Sequence, residues 1–276
     1  MNAGLNIASI CIHRGEEPVI SGPEGICNIF FAGCNLNCIY CQNHQISQPC
    51  DKIMSYETDL PTVIGRITEI LSTGITSVGF VSPSHMVPQM KMIIDGLHSS
   101  GSNPVIVYNT NGYDKAETIR SLERSIDVYL PDYKYVTPEL SLEYSGAFDY
   151  PEVALKALKE MYYQKGSTLL IDEHGRAESG MLIRHLVLPG HVKESKKVLR
   201  SIAEELSTGV HISLMSQYNP VQQVKRYPQL NRALYKAEYD EVAEYMNELG
   251  FRNGWLQDMD SYLNYRPDFN REHPFE

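Results

Sequence analysis

The chain has 276 residues and a formal net charge of −10, and 42% of its residues are apolar while 21% are charged. These values are typical of a globular protein, and the acidic balance argues against a general attraction to the phosphates of nucleic acid. No apolar run approaches the ~18 residues that cross a membrane, and no positively charged stretch precedes an apolar one at the N-terminus. We therefore expect a cytoplasmic protein that binds neither membrane nor nucleic acid.

Six apolar segments of five to eight residues are predicted to be strands. A lead-in, residues 1–25, comes first, and its glycines and prolines predict loops and one short strand. The predicted strands are 26–31, 75–81, 104–108, 126–130, 181–188 and 210–215. Apolar residues at helical spacing predict helices at 61–72, from 87 to near 101, at 116–122, at 154–161 and at 198–206. Residues 164–180 predict a loop or hairpin, and a helix at 238–250 and a strand at 254–257 complete the chain.

Strands that alternate with amphipathic helices predict parallel βαβ units. Six such units form an α/β fold with a partial (β/α)6 barrel, similar to a TIM barrel but open on one side. The chemistry of such barrels is on the loops that follow the strands. We find no repeat, linker or low-complexity tract and expect one domain over residues 1–276. It comprises the lead-in at 1–25, a barrel core at 26–215, and a C-terminal loop, helix and further strand at 216–276.

Three cysteines, Cys34, Cys38 and Cys41, lie in the loop after the first predicted strand. A [4Fe–4S] cluster is usually held by four thiolates, so three without an obvious fourth would leave one iron free to bind a chelating ligand. The alternative is a zinc site, in which the Cys38 and Cys41 pair recruits Cys34 and a residue such as His44.

The other three cysteines lie outside this loop. Cys11 and Cys27 are expected to be buried or incidental thiols, whereas Cys50 follows Cys41 by only nine residues. With Cys50 as a fourth ligand, the cluster would be sealed, and the protein would transfer electrons without catalysing a reaction. Six cysteines in a chain of this length do not indicate a disulfide framework, and a reducing compartment suits them.

The Cys-x3-Cys-x2-Cys spacing, with Tyr40 directly before the last cysteine, resembles the signature of the radical S-adenosylmethionine (SAM) superfamily. The resemblance implies a [4Fe–4S] cluster on Cys34, Cys38 and Cys41, with the amino and carboxylate groups of SAM on the fourth iron. It also implies a reductant such as flavodoxin or ferredoxin. The reduced cluster would cleave SAM to a 5′-deoxyadenosyl radical that abstracts hydrogen from a substrate, while the protein supplies orientation and electronics.

Polar residues stand near the ends of the predicted strands, where a barrel has its mouth. SAM carries charged groups, a ribose and an adenine, so its pocket needs hydrogen-bond donors, acceptors and an apolar face. Alternation lets only one of Arg184 and His185 face inward, and we assign His185 to the mouth, with interior packing as its alternative. Arg184 is then expected on the opposite face or paired to a carboxylate. The candidate SAM-binding residues are Tyr40, Ser82, Ser84, His85, Asn109, Thr110, Asp132, Lys134, His185 and Gln217.

Some of these candidates have a structural alternative. Ser82 and Ser84 are also suited to cap the next helix, residues 109–112 to form a plain turn, and Asp132 with Lys134 to form a surface ion pair.

Four segments, 30–34, 109–112, 132–134 and 184–190, resemble the activating enzymes of glycyl-radical enzymes, in particular an uncharacterised branch related to pyruvate formate-lyase activase. The resemblance covers residues from about 25 to 260. It implies that Asn109, Thr110, Asp132 and Lys134 contact SAM or a nearby cation, and that the backbone of Tyr40 lies near the adenine.

Two departures from the activase pattern stand out. Residues 82–85, Ser-Pro-Ser-His, replace a Gly-Gly-Glu stretch whose polar atoms meet the SAM ammonium. Asn109 stands where activases have an aspartate, which weakens a cation site because an amide oxygen carries no full charge.

Two classes of substrate are compatible with the resemblance. An activase would act on a glycine of a glycyl-radical enzyme, whereas a modifier of a peptide or small molecule would close the mouth with its own residues, such as 216–236. That segment carries aromatic and basic side chains that suit an anionic or a peptide substrate, namely Tyr218, Lys225, Arg226, Tyr227 and Arg232. The acidic balance counts against RNA as the substrate.

Overall fold

A sheet of nine strands forms the centre of the computed structural model, which describes residues 4–48, 58–261, 266–271 and 273–275. The strands are β1 (Ile7–His13), β2 (Ile26–Phe31), β3 (Ser77–Val81), β4 (Val105–Thr110), β5 (Val128–Pro131), β6 (Leu170–Ile171), β7 (Ala177–Leu186), β8 (His211–Met215) and β9 (Gly254–Leu256). The helices are α1 (Pro18–Ser21), α2 (His44–Ser47), α3 (Leu60–Leu71), α4 (Val87–Ser99), α5 (Ala116–Arg120), α6 (Pro138–Ser145), α7 (Tyr150–Lys165), α8 (Val192–Glu205) and α9 (Lys236–Glu248). No helix in the described ranges is long and apolar enough to cross a membrane.

Most of the sheet is parallel. The order of the strands is β1-β2-β3-β4-β5-β7-β8-β9, and every neighbouring pair from β2 to β9 is parallel. β1 pairs antiparallel with β2, and β6 forms an antiparallel hairpin with β7. Among the described strands β1 and β9 are the two ends of this order, so the sheet does not close. The prediction of an α/β fold with a partial, open barrel is confirmed.

Alternate residues of each strand face two different layers. Tyr129 and Ile183 belong to the large apolar cluster beneath the helices, whereas their chain neighbours Val128 and Leu182 fill the inside of the barrel. This separation follows from the alternation of side chains along a strand. Polar residues that follow these inward-facing apolar residues along their strands therefore meet inside the barrel, at the carboxyl edge of the sheet.

Helix α3 begins at the signals that the sequence contains. The Asp59 side chain accepts a hydrogen bond from Thr62 N at 2.9 Å, and Pro61 lies in the first turn, where its missing N–H costs nothing. Val63 and Ile67, one turn apart, are fully buried against the sheet. The apolar stripe thus fixes the face that the helix buries.

The structure contains short elements that the sequence did not predict. Helices α1, α2 and α6 have four to eight residues, too few for a recognisable apolar stripe. The short strand expected in the lead-in is β1, with seven residues, and its pairing with β2 brings Glu16 into the barrel, where it bonds to Asn28 and Arg184.

Candidate active site at the carboxyl edge of the barrel

The three-cysteine loop leaves the end of β2 and is anchored to α6. Gly33, with a φ of 87° that favours glycine, donates its backbone N–H to Ile46 O at 2.8 Å. Further along, Asn37 N bonds to Ser145 O at 3.1 Å and Ile39 N bonds to Tyr144 O at 2.9 Å. Backbone bonds on both sides of Cys38 therefore hold the loop in place.

Each of the three thiols has a polar partner. The pairs are Asn111 Nδ2 with Cys34 Sγ at 3.3 Å, Ser145 Oγ with Cys38 Sγ at 3.1 Å, and Ser47 Oγ with Cys41 Sγ at 3.2 Å. Burial raises the pKa of Cys38 to about 12, with Cys41 acting in the same direction and Lys134 against it. Amide and hydroxyl donors beside sulfur stabilise a thiolate ligand. The three cysteines with these partners therefore fit an iron–sulfur cluster, whose iron would neutralise the charge of the buried thiolates.

The alternatives to an open cluster concern metals and a fourth cysteine. In the part of the chain that the structure describes, no three His, Cys, Asp or Glu side chains stand together as ligands of one metal ion. His44 turns its Nδ1 toward Cys41 O at 3.1 Å. Cys50 lies outside the described residues. Cys11 and Cys27 are buried thiols, as expected.

Arg184 is the centre of a charged network inside the barrel. Its guanidinium donates to Asp132 Oδ1 at 3.1 Å, Glu16 Oε2 at 2.9 Å and Asn109 Oδ1 at 2.6 Å. Lys134 Nζ donates to the other oxygen of Asp132 at 2.5 Å. Burial alone would raise the pKa of Asp132, but Lys134 and Arg184 hold it below its usual value. Asp132 and Lys134 are thus a largely buried ion pair inside the barrel, and not a surface ion pair.

Glu16 and Glu17 are site residues that the sequence reasoning missed. Glu16 Oε1 accepts from Asn28 Nδ2 at 3.1 Å and from Asn109 Nδ2 at 3.3 Å, in addition to its ion pair with Arg184. The available signal was a pair of adjacent acids before Pro18 in the lead-in. Only the antiparallel pairing of β1 shows that these acids enter the barrel.

A cavity of about 380 Å³ lies between the lead-in, the strand ends and the C-terminal segment. Its size is in the range of small-molecule sites. Of the predicted cofactor-binding residues it contains Asn109 and Gln217, and Gln42 and Asn43, directly after Cys41, form the wall toward the cysteine loop. Gln217 is held by Gln257, whose Nε2 donates to Gln217 Oε1 at 2.7 Å.

Thr110 and Ser84 do not face this cavity, which corrects their predicted position. Thr110 Oγ donates to the buried Asp114 carboxylate, and Ser84 Oγ lies 3.3 Å from Thr110 Oγ. Tyr108 OH donates to the other Asp114 oxygen at 2.8 Å. Thr110 and Tyr108 lie on the side of β4 that faces the helices. Their hydroxyls therefore hold Asp114, and with it the loop after β4, from the side opposite the cavity.

The segment after β3 turns sharply. Ser82 has a φ of 48°, which is unusual for a residue other than glycine, and it donates its N–H to Asn109 O at 2.7 Å. Its side chain makes no capping bond to the following 3₁₀ helix, Pro83–His85. His85 Nε2 lies 2.9 Å from Ala32 O, so its imidazole supports the start of the cysteine loop.

His185 faces the helices, and Arg184 faces the barrel interior, which is the reverse of the predicted arrangement. His185 is 2% exposed, and its Nδ1 lies 2.8 Å from Tyr133 O. Burial lowers the pKa of its imidazole. The alternation along β7 correctly predicted that Arg184 and His185 face opposite sides of the sheet. The charged partners of Arg184 decide that it is Arg184 that faces the interior.

Three tyrosines near the cysteines are also buried. Tyr40 places its hydroxyl 2.5 Å from Tyr135 OH, and Tyr135 OH lies 3.0 Å from Ser145 Oγ, so a chain of hydroxyls ends at Cys38. Tyr218 is 1% exposed and donates to Leu230 O at 2.6 Å. The expectation that Tyr218 offers its side chain to a substrate is therefore wrong.

The comparison with known families identifies the superfamily of this chain. The family model of the radical SAM superfamily matches residues 28–202. The chain belongs to this superfamily, whose members use a [4Fe–4S] cluster and SAM and need a reductant. The expectation drawn from the cysteine spacing is confirmed at this level.

The chain is similar to individual proteins in sequence and in structure. An uncharacterized protein of Methanocaldococcus jannaschii is 30% identical over 237 residues, which are 84% of this chain and 64% of that relative, so the chain spans less than two thirds of its length. SuiB of Streptococcus suis, solved with SAM bound, has a TM-score of 0.53 at 13% identity over 82% of this chain and 48% of its own. The FeFe-hydrogenase maturase HydG of Carboxydothermus hydrogenoformans has a TM-score of 0.51 at 14% identity over 91% of this chain and 54% of its own. At these identities the structures show a shared fold.

Proposed function

We propose that the chain is an enzyme that holds a [4Fe–4S] cluster through Cys34, Cys38 and Cys41 and uses it to cleave SAM. When bound and reduced, the cluster supplies the electron that releases a 5′-deoxyadenosyl radical, which takes hydrogen from a substrate. A small electron-transfer protein such as flavodoxin or ferredoxin is the proposed reductant.

The position of the cysteine loop beside the cavity supports this function most directly. The loop follows β2 at the carboxyl edge, and Gln42, the residue after Cys41, lines the cavity. Gln42 Nε2 donates to Asn219 O at 2.9 Å and to Tyr40 O at 3.3 Å, which ties the loop to the segment after β8. A small molecule in the cavity would therefore lie directly against the residues that follow the thiols.

Residues of the cavity wall are proposed to orient SAM. Asn109 and Gln217 offer amide groups, and Arg184 fixes the Asn109 amide by donating to its Oδ1 at 2.6 Å. Asp132 and Lys134 act through Arg184, because they fix its guanidinium, and are positioning residues in this proposal. Thr110, Ser84 and His185 are not included, since they face the outer layers.

The substrate is proposed to be either a glycine of a glycyl-radical enzyme or a smaller molecule. The activase-like segments favour the first. The second is favoured by the cavity itself, whose wall includes Pro267 and Phe275 of the chain's own C-terminal segment. Asp268 in that segment accepts from Gln45 Nε2 at 3.2 Å, close to the cysteine loop.

Anaerobic turnover tests the reaction. The protein is reconstituted with iron and sulfide, reduced with dithionite and given SAM, and 5′-deoxyadenosine and methionine are measured by chromatography. We expect both products from the wild type and from Cys27→Ala, a buried thiol outside the loop, and neither from Cys38→Ala. A wild type that holds zinc and leaves SAM intact would contradict the proposal.

The fourth cysteine is tested by the same reconstitution. Cys50→Ser is expected to assemble the full cluster, measured as iron per chain and by electron paramagnetic resonance. Loss of the cluster in this variant would support the sealed electron-transfer alternative.

A further inference from the structure

One carboxyl group in the cavity wall has no role in the function proposed above. Glu17 lines the cavity and is 9% exposed. Its Oε2 atom is buried and has no hydrogen-bond partner within the described ranges. Leaving a buried carboxyl oxygen unpaired destabilises a fold. Natural proteins usually break such a rule where a ligand completes the arrangement.

The charges around Glu17 are unbalanced. Arg184 is already bonded to Glu16 and Asp132, and Lys134 is bonded to Asp132. Three carboxylates, those of Glu16, Glu17 and Asp132, therefore share two cations and leave one negative charge in excess. Burial raises the pKa of Glu17, and Glu16 acts in the same direction, while Arg184 opposes them.

Among the described residues of the cavity wall, no other group supplies the missing positive charge. Burial lowers the pKa of His13, so its imidazole is neutral at neutral pH. Asp258 adds a further carboxylate at the wall. The rest of the wall is mixed in polarity, and its apolar part includes Phe30, Val81, Met215, Trp255, Leu256 and Phe275.

We propose that Glu17 binds the primary ammonium group of a small substrate whose apolar body contacts the aromatic and aliphatic wall. An ammonium supplies both things that Glu17 lacks, a donor for Oε2 and a compensating charge, and a charge-assisted hydrogen bond of this kind is strong in a buried site. The role of this molecule as the hydrogen donor rests on the proposed function. The binding of the amine does not.

SAM also carries a primary ammonium, so two sources share this chemistry. If the ammonium of SAM bound Glu17, amine probes and SAM would exclude each other. If a substrate amine binds there, both occupy the protein together. Competition separates the two sources without knowledge of the natural substrate.

Binding of three matched probes tests the proposal. The probes are 2-phenylethylamine, 2-phenylethanol and 3-phenylpropionate, which share an apolar body and differ in the end group. They are titrated calorimetrically into the whole reconstituted chain under anaerobic conditions, with and without excess SAM. The variants are Glu17→Gln, which keeps the shape, Glu17→Asp, which keeps the charge, and Glu24→Gln as a control on an exposed acid of the same lead-in.

We expect the wild type and Glu24→Gln to bind the amine about tenfold or more tighter than the alcohol, and the propionate to bind weakest. Glu17→Gln should lose this preference, and Glu17→Asp should retain part of it. SAM should not displace the amine. Equal binding of amine and alcohol, no binding of the amine, or displacement of the amine by SAM would each overturn the proposal.

The SAM-cleavage assay keeps this test separate from the proposed function. An amine preference that depends on Glu17, in a protein that leaves SAM intact, would uphold the amine site and reject the radical reaction. Cleavage of SAM by a protein without amine preference would do the reverse. If Glu17→Gln does not fold, Glu17→Asp still reports whether the length of the acid side chain sets the preference.

Discussion

The guanidinium of Arg184 and the carboxylate of Glu16 meet inside the barrel, with Arg184 Nη1 2.9 Å from Glu16 Oε2. The two residues are 168 positions apart in the sequence and come from β7 and from the segment after β1. Both side chains are largely buried, at 12% and 10% exposure. The pair joins the lead-in to the parallel sheet at the point where the cavity begins.

Removal of the Arg184 cation should destabilise the fold. Arg184→Met leaves Glu16 and Asp132 buried without their shared partner, and breaking a buried ion pair on one side costs about 3–5 kcal/mol. We expect this loss in the free energy of unfolding measured by urea denaturation. Lys156→Met, which removes a cation from the exposed pair with Glu152, should change it little. Equal effects of the two variants would show that the interior network contributes nothing special.

The hydroxyl of Ser145 should tune the proposed cluster. Its Oγ lies 3.1 Å from Cys38 Sγ, and hydrogen bonds to cluster sulfurs raise the reduction potential. Ser145→Ala is therefore expected to lower the potential, measured by a redox titration followed by electron paramagnetic resonance. Ser141→Ala, on the same helix and bonded to Pro138 O, is the matched control and should leave it unchanged. A potential that does not move in Ser145→Ala would contradict this role.

Glu17 should make stability depend on pH. Burial raises its pKa in the folded state above the ordinary value of 4.5, so the folded chain binds this proton more tightly than the unfolded chain. Linkage then requires that its contribution become less favourable as pH rises from 4.5 toward the raised pKa. Glu17→Gln should thus be more stable than the wild type by about 1 kcal/mol at neutral pH, and the difference should disappear below the ordinary value.

Urea denaturation at a series of pH values measures this difference. Glu24→Gln should follow the wild type throughout, since Glu24 is exposed. A difference between wild type and Glu17→Gln that is the same at every pH would mean that the buried carboxyl does not titrate as its surroundings require.

Gly254 should be needed for the edge strand β9. It pairs with Ile212 of β8 at a φ of +123°, and a Cβ at this position would overlap the Ile212 backbone. Gly254→Ala is expected to lower the free energy of unfolding by about 1–3 kcal/mol. It should also disturb Trp255 in the cavity wall. The measurement is urea denaturation together with the fluorescence of Trp255.

A helix glycine provides the opposite control. Gly65 lies in α3 with nothing near its missing Cβ, so Gly65→Ala should stabilise the chain by about 0.5–1 kcal/mol. Destabilisation by both substitutions would show that the strand position has no special requirement for glycine.

Local sequence patterns correctly predicted the central strands and the longer helices of this fold. The six predicted strands appear as β2, β3, β4, β5, β7 and β8, and even the predicted last strand appears as β9. Apolar patterns are sufficient there, because the central strands are buried on both faces and read as continuous apolar runs, whereas the long helices bury one face on the sheet. Short helices such as α2 and α6 have no such period, and contacts with the cysteine loop determine them instead.

Some residues of the site could be predicted from a local pattern, and others could not. The spacing of Cys34, Cys38 and Cys41 was enough to predict the superfamily, because a cluster motif is a local pattern in one loop. The orientation of Arg184 and His185 was not, since alternation says that they face opposite ways and does not say which faces inward. The partners that decide it, Glu16 and Asp132, come from distant segments.

The sequence by itself determined the superfamily, the open parallel barrel and the loop that carries the thiols, because these depend on spacing and periodicity within short segments. Only the tertiary structure decided that the lead-in enters the barrel, that Arg184 neutralises Glu16, and that Glu17 is left with an unpaired oxygen in the cavity wall. These features are balances of charge and hydrogen bonding among segments far apart in the chain. Such balances exist only once the strands have brought those segments together.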